Sequence, residues 1–149
     1  MTQESNDDLP KVSDQLCFAV YSAAHAFNSA YKPLLEPLRL TYPQYLVLQV
    51  LWQEDGSTLK EIGQRLHLDS GTLTPVLKRL QAAGYVQRYR DAEDERLLRV
   101  DLTSEGRGLR SRAVEVWRSI TARLGKSEEQ LGSLRQAIDQ LRPALASAD

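Results

Sequence analysis

The chain has 149 residues, of which 42% are hydrophobic and 26% charged, and its net charge is −1. That length suits one compact domain with its own core, and the composition is ordinary for a globular protein. No run approaches the roughly 20 apolar residues of a bilayer span, the acidic first residues lack the apolar stretch of a signal peptide, and the single cysteine, Cys17, excludes an internal disulfide and suits a reducing, cytoplasmic setting.

The charge is unevenly spread. Residues 1–56 carry three basic and seven acidic groups, residues 57–107 nine and eight, and residues 108–149 seven and five. The middle of the chain is only slightly basic, so any nucleic-acid function must be argued from local pattern and not from total charge.

In chain order, residues 1–10 are expected to fray. A helix is expected from Ser13, as N-cap, to Lys32, stopping before Pro33, because Leu16, Val20, Ala23, Phe27 and Ala30 recur at helical spacing. Residues 33–40 read as a short helix. Pro43 opens another that buries Tyr45, Leu46, Leu48, Val50, Leu51 and Trp52 and ends near Gly56. Residues 58–66 form a short amphipathic helix with Leu59, Ile62 and Leu66 inward. A tight connection, with Asp69 or Ser70 as cap, leads into a helix to Ala83 with Leu73, Val76, Leu77 and Leu80 inward and Gly84 beyond its end. Pro75 falls inside that helix, which predicts a kink or a regular start nearer Thr74.

Two alternating strands follow, 86–90 and 96–102, around a polar tip at 91–95, with Leu98, Val100 and Leu102 on one face. Thr103 caps a long helix whose stripe is Leu109, Ala113, Trp117, Ile120 and Leu124. Ser127 and Gln130 make a capping box for a last helix with Leu131, Leu134, Ile138 and Leu141 on its apolar face. The expected fold class is mainly α with a small β-hairpin wing. Two short helices, a tight turn and a hairpin describe a winged helix-turn-helix at 41–103, flanked by helices at 11–40 and 104–147.

The outward face of the second short helix carries Ser70, Thr72, Thr74, Lys78, Arg79 and Gln81. Hydroxyls near a helix N-terminus suit phosphates or base edges, and Lys78 and Arg79 suit the backbone. The hairpin adds Arg88, Arg90, Arg96 and Arg99, a residue type that suits a narrow minor groove. An ordinary solvated face would present the same residue types, and the acidic tip of Asp91, Glu93, Asp94 and Glu95 would repel phosphates unless one of them pairs with Arg96 and aims it.

The segments Asp69–Leu80, Gly84–Val86 and Asp94–Thr103 resemble the MarR family of winged-helix regulators. Residues 15–18 (Gln-Leu-Cys-Phe), 31–35 (Tyr-Lys-Pro-Leu-Leu) and 41–45 (Thr-Tyr-Pro-Gln-Tyr) resemble its organic hydroperoxide sensors. The resemblance spans roughly residues 13–110. It implies a homodimer with interlocked terminal helices. Its recognition helices would enter successive major grooves of a pseudo-palindromic double-stranded operator, and Arg96 would enter the minor groove braced by Asp94. Pro75 also belongs to the branch's pattern.

Cys17 lies near the start of the first helix, where the dipole favours a thiolate, which attacks a peroxide and becomes a sulfenic acid. A lone buried cysteine is otherwise mostly inert. Cys17, Tyr21, Ala24, Asn28 and Tyr31 share one helix face. Tyr31 lies about 21 Å along the axis from Cys17. It can reach a cysteine only in a second copy whose helix runs antiparallel. The resemblance implies that Tyr31 and Tyr42 contact the sensor cysteine. With no second cysteine, a low-molecular-weight thiol is expected to resolve the sulfenic acid as a mixed disulfide, or the sulfur over-oxidises. The chain is expected to be a repressor and not an enzyme, with no cofactor or membrane partner, and no metal is expected because His25 and His67 are isolated and join no ligand cluster with Cys17. The competing readings are a MarR-like repressor controlled by a phenolic or aromatic ligand, and a thiol peroxidase.

Overall fold

The computed structural model describes residues 9–146. The fraying expected at the N-terminus therefore falls, for residues 1–8, outside the described residues, as does residue 147 of the expected C-terminal helices. The chain divides into two compact units, residues 1–113 and 114–149. No helix among the described residues is long and apolar enough to cross a membrane.

The first unit opens with a 3-10 turn at Val12–Asp14, followed by α1, Leu16–Leu35. Ser13 is thus not the N-cap. Gln15 is extended and takes that place, its side chain turned back to donate to the Pro10 carbonyl at 2.9 Å. Pro33 does not end the helix. It forfeits one backbone bond, yet the Glu36 N–H still reaches the Lys32 carbonyl, and burial of Leu35 and Leu38 holds the last turn in place. A 3-10 turn, Glu36–Leu38, replaces the short helix expected at 33–40.

α2, Tyr42–Gln53, begins with a capping box in which Thr41 and Gln44 exchange bonds, and Pro43 sits in its first turn, where its missing N–H costs nothing. Thr58 and Glu61 build the same box for α3, Leu59–Leu66. His67, in left-handed geometry, turns the chain toward α4, Ser70–Ala82. The Asp69 carboxylate accepts the Thr72 N–H at 2.7 Å, so the helix starts at Ser70 and not near Thr74, and it continues through Pro75. Leu73, Leu77 and Leu80 are fully buried, as are Leu48 and Leu51 of α2 and Ile62 of α3, and they form part of the core of this unit. Gly84, at φ +85°, closes α4. Its N–H bonds to the Gln81 carbonyl and the Tyr85 N–H to the Leu80 carbonyl, the paired bonds of a Schellman motif.

Strands β1, Val86–Arg90, and β2, Leu98–Leu102, pair antiparallel with Arg88 opposite Val100. β2 begins two residues later than expected, because the Asp94 carboxylate captures the Arg96 backbone and keeps that residue in the tip. Residues 56–58 run along β2: Gly56 donates to the Val100 carbonyl, Val100 donates to Ser57, and Thr58 bridges to Arg99.

Thr103 caps α5, Ser104–Gly108, as expected, but the helix is interrupted at Leu109 before α6, Arg110–Leu124. Glycines at 106 and 108 supply weak helix propensity at the break. In the second unit α6 ends. The Ser127–Gln130 capping box starts α7, Glu128–Asp139, and Gln140 separates it from α8, Leu141–Ala146, where one continuous helix was expected.

Candidate nucleic-acid interface and cysteine site

The outward face of α4 carries the expected groups. Ser70, Thr72, Lys78 and Arg79 are exposed, and Thr74 is partly exposed with its hydroxyl donating to the Ser70 carbonyl at 2.7 Å. The bond to the Thr72 N–H holds the Asp69 carboxyl below its ordinary range, so the cap stays ionised beside the helix start.

On the hairpin, Arg90 is exposed, while Arg88 donates through Nε to the Gln81 side chain at 2.9 Å, which ties β1 to the end of α4. Arg96 stands at the tip with 89% of its side chain exposed and forms a two-pronged pair with Asp94 at 3.0 and 3.1 Å. Arg99, counted with the outward arginines from sequence, turns instead to the base of the wing. It pairs with Asp91 and donates to the Gly56 carbonyl at 2.9 Å. Chiefly through that pairing, and then through the N–H groups of Glu93 and Asp94, the Asp91 carboxyl is held down at about 2.

Cys17 is the second residue of α1 and is exposed in the single chain. So are Leu16, Val20 and Phe27 of the helical stripe read from periodicity, together with Phe18 and Tyr21. At the other end of α1, Tyr31 is buried against Tyr42 and Tyr45, with ring centroids 4.7 and 5.7 Å away. Tyr21 does not join them. It is exposed and packs edge-on against His25 at 4.5 Å. Tyr45 was read from sequence only as a core ring. Its position three residues after Tyr42 was the available signal, since both lie on one face of α2. Its hydroxyl donates to the Ala113 carbonyl at 3.2 Å.

Burial raises all three phenols of this cluster, and for Tyr31 burial first, then the proximity of Tyr42 and Tyr45, pushes it up to about 12. Near neutral pH they are hydrogen-bond donors and not phenolates. An unfolded Tyr31 ionises near 10.0. From that pH to about 12 the unfolded chain sheds a proton that the folded chain keeps, so the stabilisation is complete below 10 and is lost as pH rises to 12. Tyr31→Phe is therefore expected to make alkaline unfolding less steep over that window in melts followed by circular dichroism. An unchanged slope would show that Tyr31 titrates as an ordinary phenol.

Residues 29–112 match the family described as transcriptional regulator SarA/Rot. The chain is 42% identical over 142 residues to the organic hydroperoxide resistance transcriptional regulator of Bacillus subtilis, covering 95% of this chain and 97% of that protein. The chain belongs to the SarA/Rot-type, MarR-family winged-helix transcription regulators. Another relative is the HTH-type transcriptional regulator TtmR of Methylorubrum extorquens, 49% identical over 145 residues, 97% of this chain and 74% of that protein. Among solved structures, reduced AbfR of Staphylococcus epidermidis bound to DNA matches with 34% identity and a TM-score of 0.79, covering 91% of this chain and 95% of that one. Overoxidised AbfR bound to DNA matches with 35% identity and a TM-score of 0.77, covering 90% and 94%.

Proposed function

We propose that this regulator is a cytoplasmic, homodimeric repressor that binds a pseudo-palindromic DNA operator and releases it when an organic hydroperoxide oxidises Cys17. The single observation that carries the redox half is the placement of Cys17, exposed at the positive end of α1, with a buried cluster of protonated tyrosines at the helix's far end. Within one chain the two are about 21 Å apart. Two antiparallel copies of α1 bring the cysteine of one protomer to Tyr31 and Tyr42 of the other. The exposed apolar face of α1, and those of Trp117, Leu124, Leu134 and Ile138 in the second unit, are the surfaces such a dimer would cover.

The chemistry follows from those groups. The Cys17 thiolate attacks the distal peroxide oxygen. An S–O bond forms, the O–O bond breaks, and the alkoxide leaves and takes a proton, giving sulfenic acid and alcohol. Phenolic donors stabilise the thiolate beforehand. A small thiol then displaces water from the sulfenic sulfur and leaves a mixed disulfide. Its bulk, wedged between the two copies of α1, shifts the helices and moves the wings off their half-site spacing. AbfR has been captured on DNA in overoxidised form. That favours the bulky mixed disulfide, and not a sulfur carrying only extra oxygens, as the releasing species here.

DNA contact is assigned to Ser70, Thr72 and Thr74 at the start of α4, to Lys78, Arg79, Arg88 and Arg90 on phosphates, and to Arg96, braced by Asp94, in the minor groove. The relatives are named as regulators and not as enzymes, which supports the reading of oxidation as a single switching event instead of turnover. Gel shifts on a duplex that the wild-type protein enriches from a random pool test this. With organic hydroperoxide plus a small thiol, wild type should lose affinity and Cys17→Ser should keep it. Equal affinity of treated and untreated wild type would refute redox control, while failure to enrich any duplex would refute the DNA reading.

A further inference from the structure

The acidic tip of the wing is a puzzle for a DNA-binding element, because Asp91, Glu93, Asp94 and Glu95 lie where phosphates should approach. The hydrogen bonds divide these acids into different roles. One oxygen of Asp91 accepts the Arg99 guanidinium, and Arg99 also reaches the Gly56 carbonyl at 2.9 Å in the connection between α2 and α3. The other Asp91 oxygen accepts the N–H groups of Glu93 at 2.8 Å and Asp94 at 3.0 Å. The Asp94 carboxylate then holds both the backbone N–H and the guanidinium of Arg96. An unbroken series of bonds therefore runs from the helical body, at Gly56, to the outermost arginine of the wing.

The exposures rank these links. Arg96 and Asp94 have side chains 89% and 35% exposed, whereas Arg99 and Asp91 are 32% and 16% exposed. An exposed ion pair by itself fixes little, because water competes and a long side chain resists being pinned. The Asp94–Arg96 pair can aim only if the Asp94 backbone is itself held, and the less exposed Asp91–Arg99 pair supplies that hold. Arg99 thereby has its charge matched and its guanidinium engaged on two sides, which leaves it poorly placed to bind a phosphate.

We propose that Asp91 and Arg99 are positioning residues for DNA recognition: they clasp the wing to the α2–α3 connection and so aim Arg96 into the minor groove. This rests on the reading of the wing as a DNA-contacting element. It reverses the simple electrostatic expectation for Asp91. Removing a negative charge from a DNA-facing surface should tighten binding, whereas loosening the clasp should weaken it, and only for the specific sequence.

The test is a mutant cycle on the duplex enriched by the wild-type protein, with a scrambled duplex of equal length for comparison. Asp91→Asn, Arg99→Gln, Arg96→Ala and the double variants with Arg96→Ala are measured by fluorescence anisotropy across a salt series, and each is checked for an intact fold by its melt. Asp91→Asn is nearly isosteric and retains an acceptor for the tip N–H groups, so it keeps the test open if Arg99→Gln unfolds. Arg96→Ala, Asp91→Asn and Arg99→Gln should each weaken specific binding by about fivefold or more, as expected for loss of one minor-groove arginine. Binding to the scrambled duplex should change by less than about twofold for the two clasp variants. In the Arg96→Ala background neither should weaken binding further. Tighter binding by Asp91→Asn would overturn the proposal. So would an Arg99→Gln loss that adds fully to Arg96→Ala and lowers the salt dependence by about one phosphate contact. If Arg96→Ala itself binds like wild type, the wing's contact with DNA fails and the clasp has nothing to aim. That outcome is distinct from one in which Arg96 matters and the clasp does not.

Discussion

Gly106→Ala is expected to lower the stability of the first unit by about 3 kcal/mol or more, the upper end of overpacking costs. A Cβ at Gly106 would lie 2.1 Å from the Tyr85 carbonyl oxygen and 3.1 Å from its carbon. Both are backbone atoms of the segment that joins α4 to β1, and that segment is pinned. The Tyr85 carbonyl accepts the Thr103 N–H, the Tyr85 N–H closes α4, and the Tyr85 hydroxyl donates to the Leu38 carbonyl at 2.9 Å. The Gly106 carbonyl meanwhile accepts the Trp52 indole N–H at 2.9 Å. Relief of the clash must therefore move α5 away from both α2 and the wing. Thermal denaturation should show a midpoint lower by roughly 10 °C, at about 3 °C per kcal/mol for a chain of this size. Gly132→Ala in α7 is the control. Nothing lies within 4 Å of its Cβ position, and alanine there should raise stability by about 0.4–1 kcal/mol. Equal melting of Gly106→Ala and wild type would mean that α5 does not pack as described.

Leu77→Ala is expected to destabilise by about 2–5 kcal/mol. Leu77 is fully buried in the stripe that seats α4 on the body of the unit, and the cavity left behind loosens the element proposed to read DNA. Lys78, one residue on, is exposed on the opposite face. Lys78→Ala should change stability by no more than about 0.5 kcal/mol, while lowering the salt dependence of DNA binding by about one phosphate contact. Urea melts of the two variants separate seating from reading. Similar losses of stability in both would place α4 in a different register from that described.

Local chemistry was what the sequence made legible. The Ser127–Gln130 box, the Asp69 cap and Gly84 after α4 each depend on residues a few positions apart, and each appears where it was expected. The helix-turn-helix and hairpin followed from their order. Features that depend on competition between distant parts were not legible. Pro33 reads as a stop signal, yet burial of Leu35 and Leu38 outweighs one missing hydrogen bond. Ser13 reads as a cap, but an extended Gln15 separates it from α1. The apolar stripe of α1 announces a buried face without saying what buries it, and in the single chain it is exposed. Arg99 looked like one more wing arginine. Only the strand register, with Arg99 opposite Tyr89 and so diagonal to Asp91, puts it on an inward clasp. Tyr45 reads as core because its ring is, and its membership of the phenol cluster depends on how α1 and α2 cross.

Under the proposed redox switch, the tie between α2 and the wing gives α1 a route to the DNA-contacting hairpin. The N-terminal end of α2 carries Tyr42 and Tyr45, and its C-terminal end leads directly into residues 56–58, which pair with β2. A displacement of α1 against those tyrosines would reach the wing through one short helix and the bonds that follow it.

In the proposed switch, a bulky adduct on Cys17 governs operator affinity. The most direct measurement is to treat the protein with graded organic hydroperoxide and a small thiol, then take intact mass and operator affinity from the same aliquots. The fraction of protein able to bind should fall in step with the mass of the Cys17 mixed disulfide and return when a reductant removes it. A fully modified sample that binds as tightly as untreated protein would contradict control of DNA binding by the Cys17 adduct.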